Sequence, residues 1–215
     1  GTVAITFCVP QSNMKTITQL KIQSKDKNKV NLFLDGEFYC SLSLEVAVKH
    51  NLKKDIMIDE KVLDGILLES EKSFAYNQAL KLVSTRYKTK KEVEKYLQEK
   101  GYASPTIIYV LKRLMEYDFI NDERYVESFV AHNMQKDGVI KIKQKLLQKG
   151  VKEDIIDSVI NSIESQDEQI KTLAVKYMKT KEKTKENYAK LFRYLMGKGF
   201  RYEEVLSVLK QGEEW

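Results

Sequence analysis

The side chains in this sequence best placed to do chemistry are lysines and arginines, and the chemistry is neutralisation of a polyanion. They gather on three stretches. The first holds Arg86, Lys88, Lys90, Lys91, Lys95 and Lys100. The second holds Lys136, Lys141, Lys143, Lys145 and Lys149, and the third Lys176, Lys179, Lys181, Lys183, Lys185, Lys190, Arg193 and Lys198. Such residues bind phosphates without regard to base sequence, and the binding weakens as salt rises. A formal charge of +6 permits that kind of partner without demanding one. Tyr87, Tyr96, Tyr102, Tyr188, Tyr194 and Tyr202 accompany the cations. Tyrosines in such company either stack on bases or pack in a core with the hydroxyl at its rim, and packing is the commoner use.

Other chemistries find little support. There is no GxxxxGK[ST] phosphate loop and no GxGxxG after a strand. His50 and His132 are far apart and read as structural or surface residues. Asp122 and Glu123 could be imagined as a metal pair, but adjacent carboxylates at a helix start are more often caps and dipole partners. Cys40 falls on the apolar side of its strand and reads as a packed thiol. Cys8 and Cys40 are too few for a disulfide framework or a zinc site. No apolar run approaches the ~20 residues that span a bilayer. The expectation is a cytoplasmic protein that is not an enzyme, uses no cofactor or metal, contacts no membrane and acts as a monomer.

What must position the basic residues is a turn that occurs three times. Its copies read KYLQEKGY, QKLLQKGV and RYLMGKGF, with glycines at Gly101, Gly150 and Gly199, spaced 49 residues apart. Leu97, Leu146 and Leu195 lie four residues before each glycine; Lys100, Lys149 and Lys198 lie one before; Tyr102, Val151 and Phe200 follow. Glycine suits the left-handed position just past a helix end, lysine suits the negative end of the helix dipole, and the apolar residue closes the cap. An apolar helical pattern resumes in phase after each copy: Ile107, Ile156 and Val205, then Val110, Val159 and Val208. Matching copies at a fixed spacing mark a repeat.

Each repeat is read as three short helices, over 71–120, 121–164 and 165–215. The second helix is the basic one every time. Stacked copies share a core and are expected to form an elongated, curved array. Stacking would align Arg86, Lys88, Lys90, Lys91, Lys95, Lys141, Lys143, Lys145, Lys149, Lys190, Arg193 and Lys198 into one stripe facing a polyanion. Thr89–Glu92 and Ser165–Glu168 are read as capping boxes, Ser104-Pro105 and Asn121 or Asp122 as helix starts, and Gly138 as a break.

Residues 14–70 form a β-rich head. Leu20 and Ile22, then Val30, Leu32 and Leu34, then Phe38, Cys40 and Leu42 alternate with polar neighbours. Asp35-Gly36 is a two-residue hairpin signal. The expectation is a three-stranded meander plus a short helix over 44–50, capped by Ser43 and packed on the following helices. Residues 1–13 fit nothing downstream and are read as a cloning-derived leader. A secretory signal is the poorer reading, because no basic residue precedes the short apolar run. The fold class is therefore mainly α, with tandem three-helix repeats behind a small N-terminal β-rich head.

These motifs together resemble the RecX family, bacterial regulatory proteins that act on the RecA recombinase. The resemblance runs from about Met14 to Lys210. It is carried by ALKLVSTRYKTKKEVEKYLQEKGY (Ala79 to Tyr102), INDERYVESFV (Ile120 to Val130) and DGVIKIKQKLLQKGV (Asp137 to Val151), with TQLKIQ and LDGEFYCSLSLEVAVKHNLKK in the head. Asn121 stands where the family usually has Asp, and Tyr125-Val126 where it has Phe-Ala. The resemblance implies a non-enzymatic modulator that lies in the helical groove of the RecA–DNA filament and limits filament growth, ATP turnover and strand exchange, in recombination and DNA repair. Its partners would be RecA, the RecA–DNA filament and, directly, single- or double-stranded DNA. Two other readings stay open: a sequence-independent DNA-binding repeat protein acting without RecA, and a metal-dependent nuclease using Asp122.

Overall fold

The computed structural model describes residues 13–212. The leader reading and Cys8 fall outside the described residues, apart from Asn13, whose carbonyl accepts the Glu60 N–H at 3.1 Å. The elements are β1 (Met14–Ile22), β2 (Lys29–Leu34), β3 (Glu37–Ser43), α1 (Leu44–Lys49), β4 (Met57–Asp59), α2 (Glu60–Thr85), α3 (Lys90–Glu99), α4 (Ser104–Glu116), α5 (Asp122–Asn133), α6 (Val139–Gln148), α7 (Glu153–Ile160), α8 (Asp167–Met178), α9 (Lys185–Gly197) and α10 (Tyr202–Gln211). They divide between two compact units. One holds the described residues up to Ala79 with Tyr102–Val110, the other Leu80–Gly101 with the chain from Leu111 onward.

The first unit is built on an antiparallel sheet in the order β3-β2-β1-β4. Val30, Leu32 and Leu34 alternate inward along the central strand and meet Ile17, Leu42, Val46, Ile58, Leu63 and Ile66 in one core. Asp35 and Gly36 both take positive φ, 48° and 90°, as the hairpin reading requires. The turn is tied to β1, because Asp35 Oδ1 accepts from Thr16 N at 3.0 Å and Gly36 N donates to Thr18 Oγ1 at 3.0 Å.

The meander gains a fourth strand, and simple alternation fails at two bulges. β4 is three residues long and buries only Ile58, too little for a period to show. The register slips between Ile17 and Gln19 on β1, and between Leu32 and Phe33 on β2. An extra residue at a bulge moves what lies beyond it to the other face. Phe38 consequently leaves the core face and meets Phe33 edge-on outside, with ring centroids 5.7 Å apart. Cys40 stays half-buried, and burial pushes its thiol up to about 11, so it packs rather than reacts. Ser43 opens α1 without a side-chain cap; its N–H donates to the buried Ser70 Oγ at 2.7 Å.

In the second unit the triple turn takes the expected form. Gly101, Gly150 and Gly199 have φ of +86°, +76° and +82°. In the middle copy Gly150 N donates to Leu147 O and Val151 N to Leu146 O, the paired bonds of a Schellman cap. Leu97, Leu146 and Leu195 are wholly buried. The second repeat packs Val126, Val130, Val139, Ile142, Leu146, Val151, Ile156 and Ile160 together, and the third Ile170, Ala174, Leu191, Leu195, Phe200, Val205 and Val208.

The turns also join the repeats. The second and third each present backbone to the start of the preceding repeat's basic helix. Thr89 Oγ1 donates to Lys149 O at 2.8 Å. Gly138 N donates to Lys198 O at 2.8 Å and Ile140 N to Gly199 O at 3.1 Å. A Cβ on Gly199 would lie 2.6 Å from Lys141 N, and one on Gly138 would lie 2.1 Å from Gly199 O. Glycine is thus required at Gly199 twice, for its φ and for the close approach. The N-cap lies 12 residues before the turn glycine at Thr89 and Gly138, whereas Thr184 lies 15 before Gly199, because α9 starts one turn early.

Candidate functional site

The predicted cationic residues are distributed unequally in their freedom. In the middle repeat all four residues of the expected stripe are held by acids. Lys141 and Lys145 close on Asp137 at 3.1 and 2.5 Å, Lys143 on Glu153 and Asp157 at 2.7 Å each, and Lys149 on Glu92 at 3.2 Å. Lys91 pairs with Glu94, Lys95 with Glu99 and Lys190 with Glu186 along their own helices. Arg193 Nε donates to Ala189 O at 3.4 Å, and Lys198 lies 5.6 Å from the centre of the Tyr194 ring. Arg86, Lys88 and the Lys90 ammonium enter no ion pair among the described residues.

These residues meet at the junctions between repeats. Lys91 carbons crowd the Cα of Gly150, and Lys141 backbone crowds Gly199. Lys149 connects to Glu92 across the first junction. Burial works to raise the Glu92 pKa, but the Thr89 backbone N–H and the Lys149 ammonium outweigh it and leave the carboxyl below its usual range. Thr89 and Glu92 form the expected capping box, and Asn121 caps α5 by accepting from Arg124 N. Asp122 acts as a cap in this arrangement: its Oδ1 accepts the Lys90 N–H at 2.8 Å, so one repeat caps its neighbour's basic helix. Among the described residues no group of three or more His, Cys, Asp or Glu could hold a metal ion. His50 has a partner that sequence reasoning did not supply, Glu69 Oε2 at 2.6 Å.

Two residues that matter at the second junction escaped the sequence reading. Ser165–Glu168 does not form a capping box; Gln166 is the N-cap, without a cap bond of its own. It is wholly buried, with Oε1 accepting from Val139 N at 2.9 Å and Nε2 donating to the carbonyls of Met134 and Asp137 at 3.3 Å. Asp137, also buried, is the anchor for both lysines. Burial alone would raise its pKa, but the hydrogen bonds and charges of Lys145 and Lys141 prevail and hold it below the ordinary carboxylate range. A folded-state pKa below the unfolded value adds stability at neutral pH, which is lost as pH falls through the folded pKa. Asp137→Asn is therefore expected to flatten the loss of stability below about pH 4, read by urea denaturation across pH.

A cleft of about 340 Å³ opens at Tyr87, the residue between Arg86 and Lys88 in the chain. Tyr87, Tyr125, Ser128, Phe129, His132 and Asn133 line it. Tyr125 and Phe129 stack at 6.0 Å, and the Lys149 ammonium lies 6.0 Å from the Tyr125 ring. The sequence held a sign of this: α5 carries Tyr125 and Phe129 beside the buried Val126 and Val130, and the two rings pack against that core only in part. Of the six tyrosines, Tyr87 is the most exposed, at 67%; Tyr194 stacks on Tyr177 and Tyr202 meets Phe192.

A β-rich head precedes three helical units in the chain, and the second and third units are each joined to the one before through a Lys-Gly turn, which defines a helical-repeat protein. The comparisons narrow the class. Residues 15–59 match the regulatory protein RecX N-terminal domain, and residues 75–114, 121–160 and 164–209 match the first, second and third RecX three-helix domains. The chain is 37% identical over 206 residues to the regulatory protein RecX of Clostridium tetani, covering 93% of this chain and 95% of that one. It is 35% identical to that of Clostridium perfringens strain SM101, covering 92% and 96%. A crystal structure of regulatory protein RecX superposes with a TM-score of 0.72 at 26% identity, covering 91% of this chain and 99% of that one. The RecX structure from Lactobacillus salivarius gives 0.64 at 28% identity, over 67% of this chain. The chain belongs to the RecX family of regulatory proteins. No helix among the described residues is long and apolar enough to cross a membrane.

Proposed function

We propose that this protein regulates the RecA recombinase by binding the RecA–DNA filament in its helical groove, restraining filament extension, ATP turnover and strand exchange. The observation that carries this reading is the succession of all four RecX segments along one chain, in order. The distribution of charge supports a refined anchoring set. Arg86, Lys88 and Lys90 meet acids or phosphates with no internal pair to break. The middle lysines are engaged internally, Lys141, Lys143 and Lys145 within their own repeat and Lys149 across to Glu92 of the first. Exposed ion pairs contribute roughly 0–1 kcal/mol each, so specificity would rest on fit while the cations speed encounter.

The test is RecA-catalysed strand exchange with this protein at substoichiometric amounts and low salt. The expected result is slowed product formation and reduced ATP hydrolysis; unchanged rates would overturn the proposal. The reading in which the protein binds DNA without RecA draws on the same unpaired cations. Filter binding to bare DNA across salt, with and without RecA, separates the two, since RecA adds nothing if DNA alone is the target.

A further inference from the structure

We propose that the cleft lined by Tyr87, Tyr125, Phe129 and His132 takes an unpaired base of single-stranded nucleic acid. This goes beyond regulation of RecA and does not depend on it. Tyr87 projects from the segment between α2 and α3, 67% exposed and without an aromatic partner among the described residues. It lies on the cleft that also shows the stacked Tyr125–Phe129 pair and the exposed His132 ring. An open cleft that gathers several ring faces suits a flat π-system. Its volume falls at the lower end of the ~300–1,000 Å³ usual for small-ligand sites.

The charge around the cleft selects the occupant. Arg86 and Lys88 flank Tyr87 in the chain without ion pairs, and the Lys149 ammonium sits over Tyr125. Ring faces for bases beside free cations for the backbone are the two parts of a single-strand binding surface. A duplex keeps its bases stacked on one another and offers no face to such a cleft. Asn133, at the end of α5, donates through Nδ2 to the Phe129 carbonyl one turn back at 2.8 Å, which holds its side chain along the helix at the edge of the cleft. An apolar or acidic protein segment is the rival occupant, and the same experiment rejects one or the other.

The experiment measures binding of the full chain, without RecA, to a fluorescein-labelled dT oligomer of about 16 nucleotides, the same length of abasic strand, and a blunt duplex. Wild type is expected to prefer dT to the abasic strand. Tyr87→Ala is expected to weaken dT binding about tenfold and leave abasic binding unchanged. Tyr87→Phe, which keeps the ring, should restore dT binding. Arg86→Gln with Lys88→Gln should weaken both strands alike and flatten the salt dependence. Equal wild-type affinity for dT and abasic strands would overturn the proposal, as would an unchanged Tyr87→Ala. Absence of any oligonucleotide binding would do so too, and would give the cleft to a protein segment. Because RecA is absent from this assay, its outcome is independent of the strand-exchange test.

Discussion

Replacing Gly138 with alanine is expected to detach the third repeat from the second and to destabilise the protein by ~3–4 kcal/mol. The new methyl would sit 2.1 Å from Gly199 O and 2.1 Å from Phe200 N. Both are backbone atoms, held by the Gly138 N–H to Lys198 O and Ile140 N–H to Gly199 O bonds, so neither moves aside without breaking the contact. Gly138 itself has an ordinary φ of −75°, so the whole effect comes from proximity. Gly101→Ala is the control. It meets nothing within 4 Å and bears only the left-handed conformation, a penalty of about 1–2 kcal/mol. Urea denaturation gives the two stabilities, and hydrogen exchange should show α8 to α10 losing protection in Gly138→Ala alone. A Gly138→Ala protein as stable as Gly101→Ala would refute the account of how the turns join the repeats.

Gln166→Leu is the second large effect, expected at ~3 kcal/mol. The leucine fills similar space but leaves the Val139 N–H and the Met134 and Asp137 carbonyls unmatched, and each buried unsatisfied group costs roughly 1–3 kcal/mol. Gln166→Glu keeps an acceptor for Val139 but turns a buried carboxyl oxygen towards two carbonyls and should cost at least as much as Gln166→Leu at neutral pH. Thermal or chemical denaturation measures this. A leucine variant within about 0.5 kcal/mol of wild type would mean that other groups or solvent meet those needs.

What the sequence revealed was whatever its near neighbours determine. The Lys-Gly turns, the Thr89–Glu92 box and the Asp35-Gly36 hairpin are satisfied within a few residues, and all appear as read. The readings that failed depend on distant partners. Ser165 offered a good cap pattern, but Gln166 took the N-cap position while its amide was drawn to residues 27 to 32 positions away. Phe38 changed face because of bulges that no alternation rule contains. Pairs such as Lys91 with Glu94 follow from helical spacing, whereas Lys149 with Glu92, 57 residues apart, exists only once the repeats dock. For that reason the charge of the basic helices could be counted from the sequence, but not which of it remained free.

The early start of α9 reshapes the surface on which a turn could dock. The position that corresponds to Thr89 and Gly138 is Asn187, and there it lies inside the helix rather than at its mouth. A Lys-Gly turn offered to α9 at that point would meet a helical flank, and an equivalent seat lies one helical turn earlier, at Thr184.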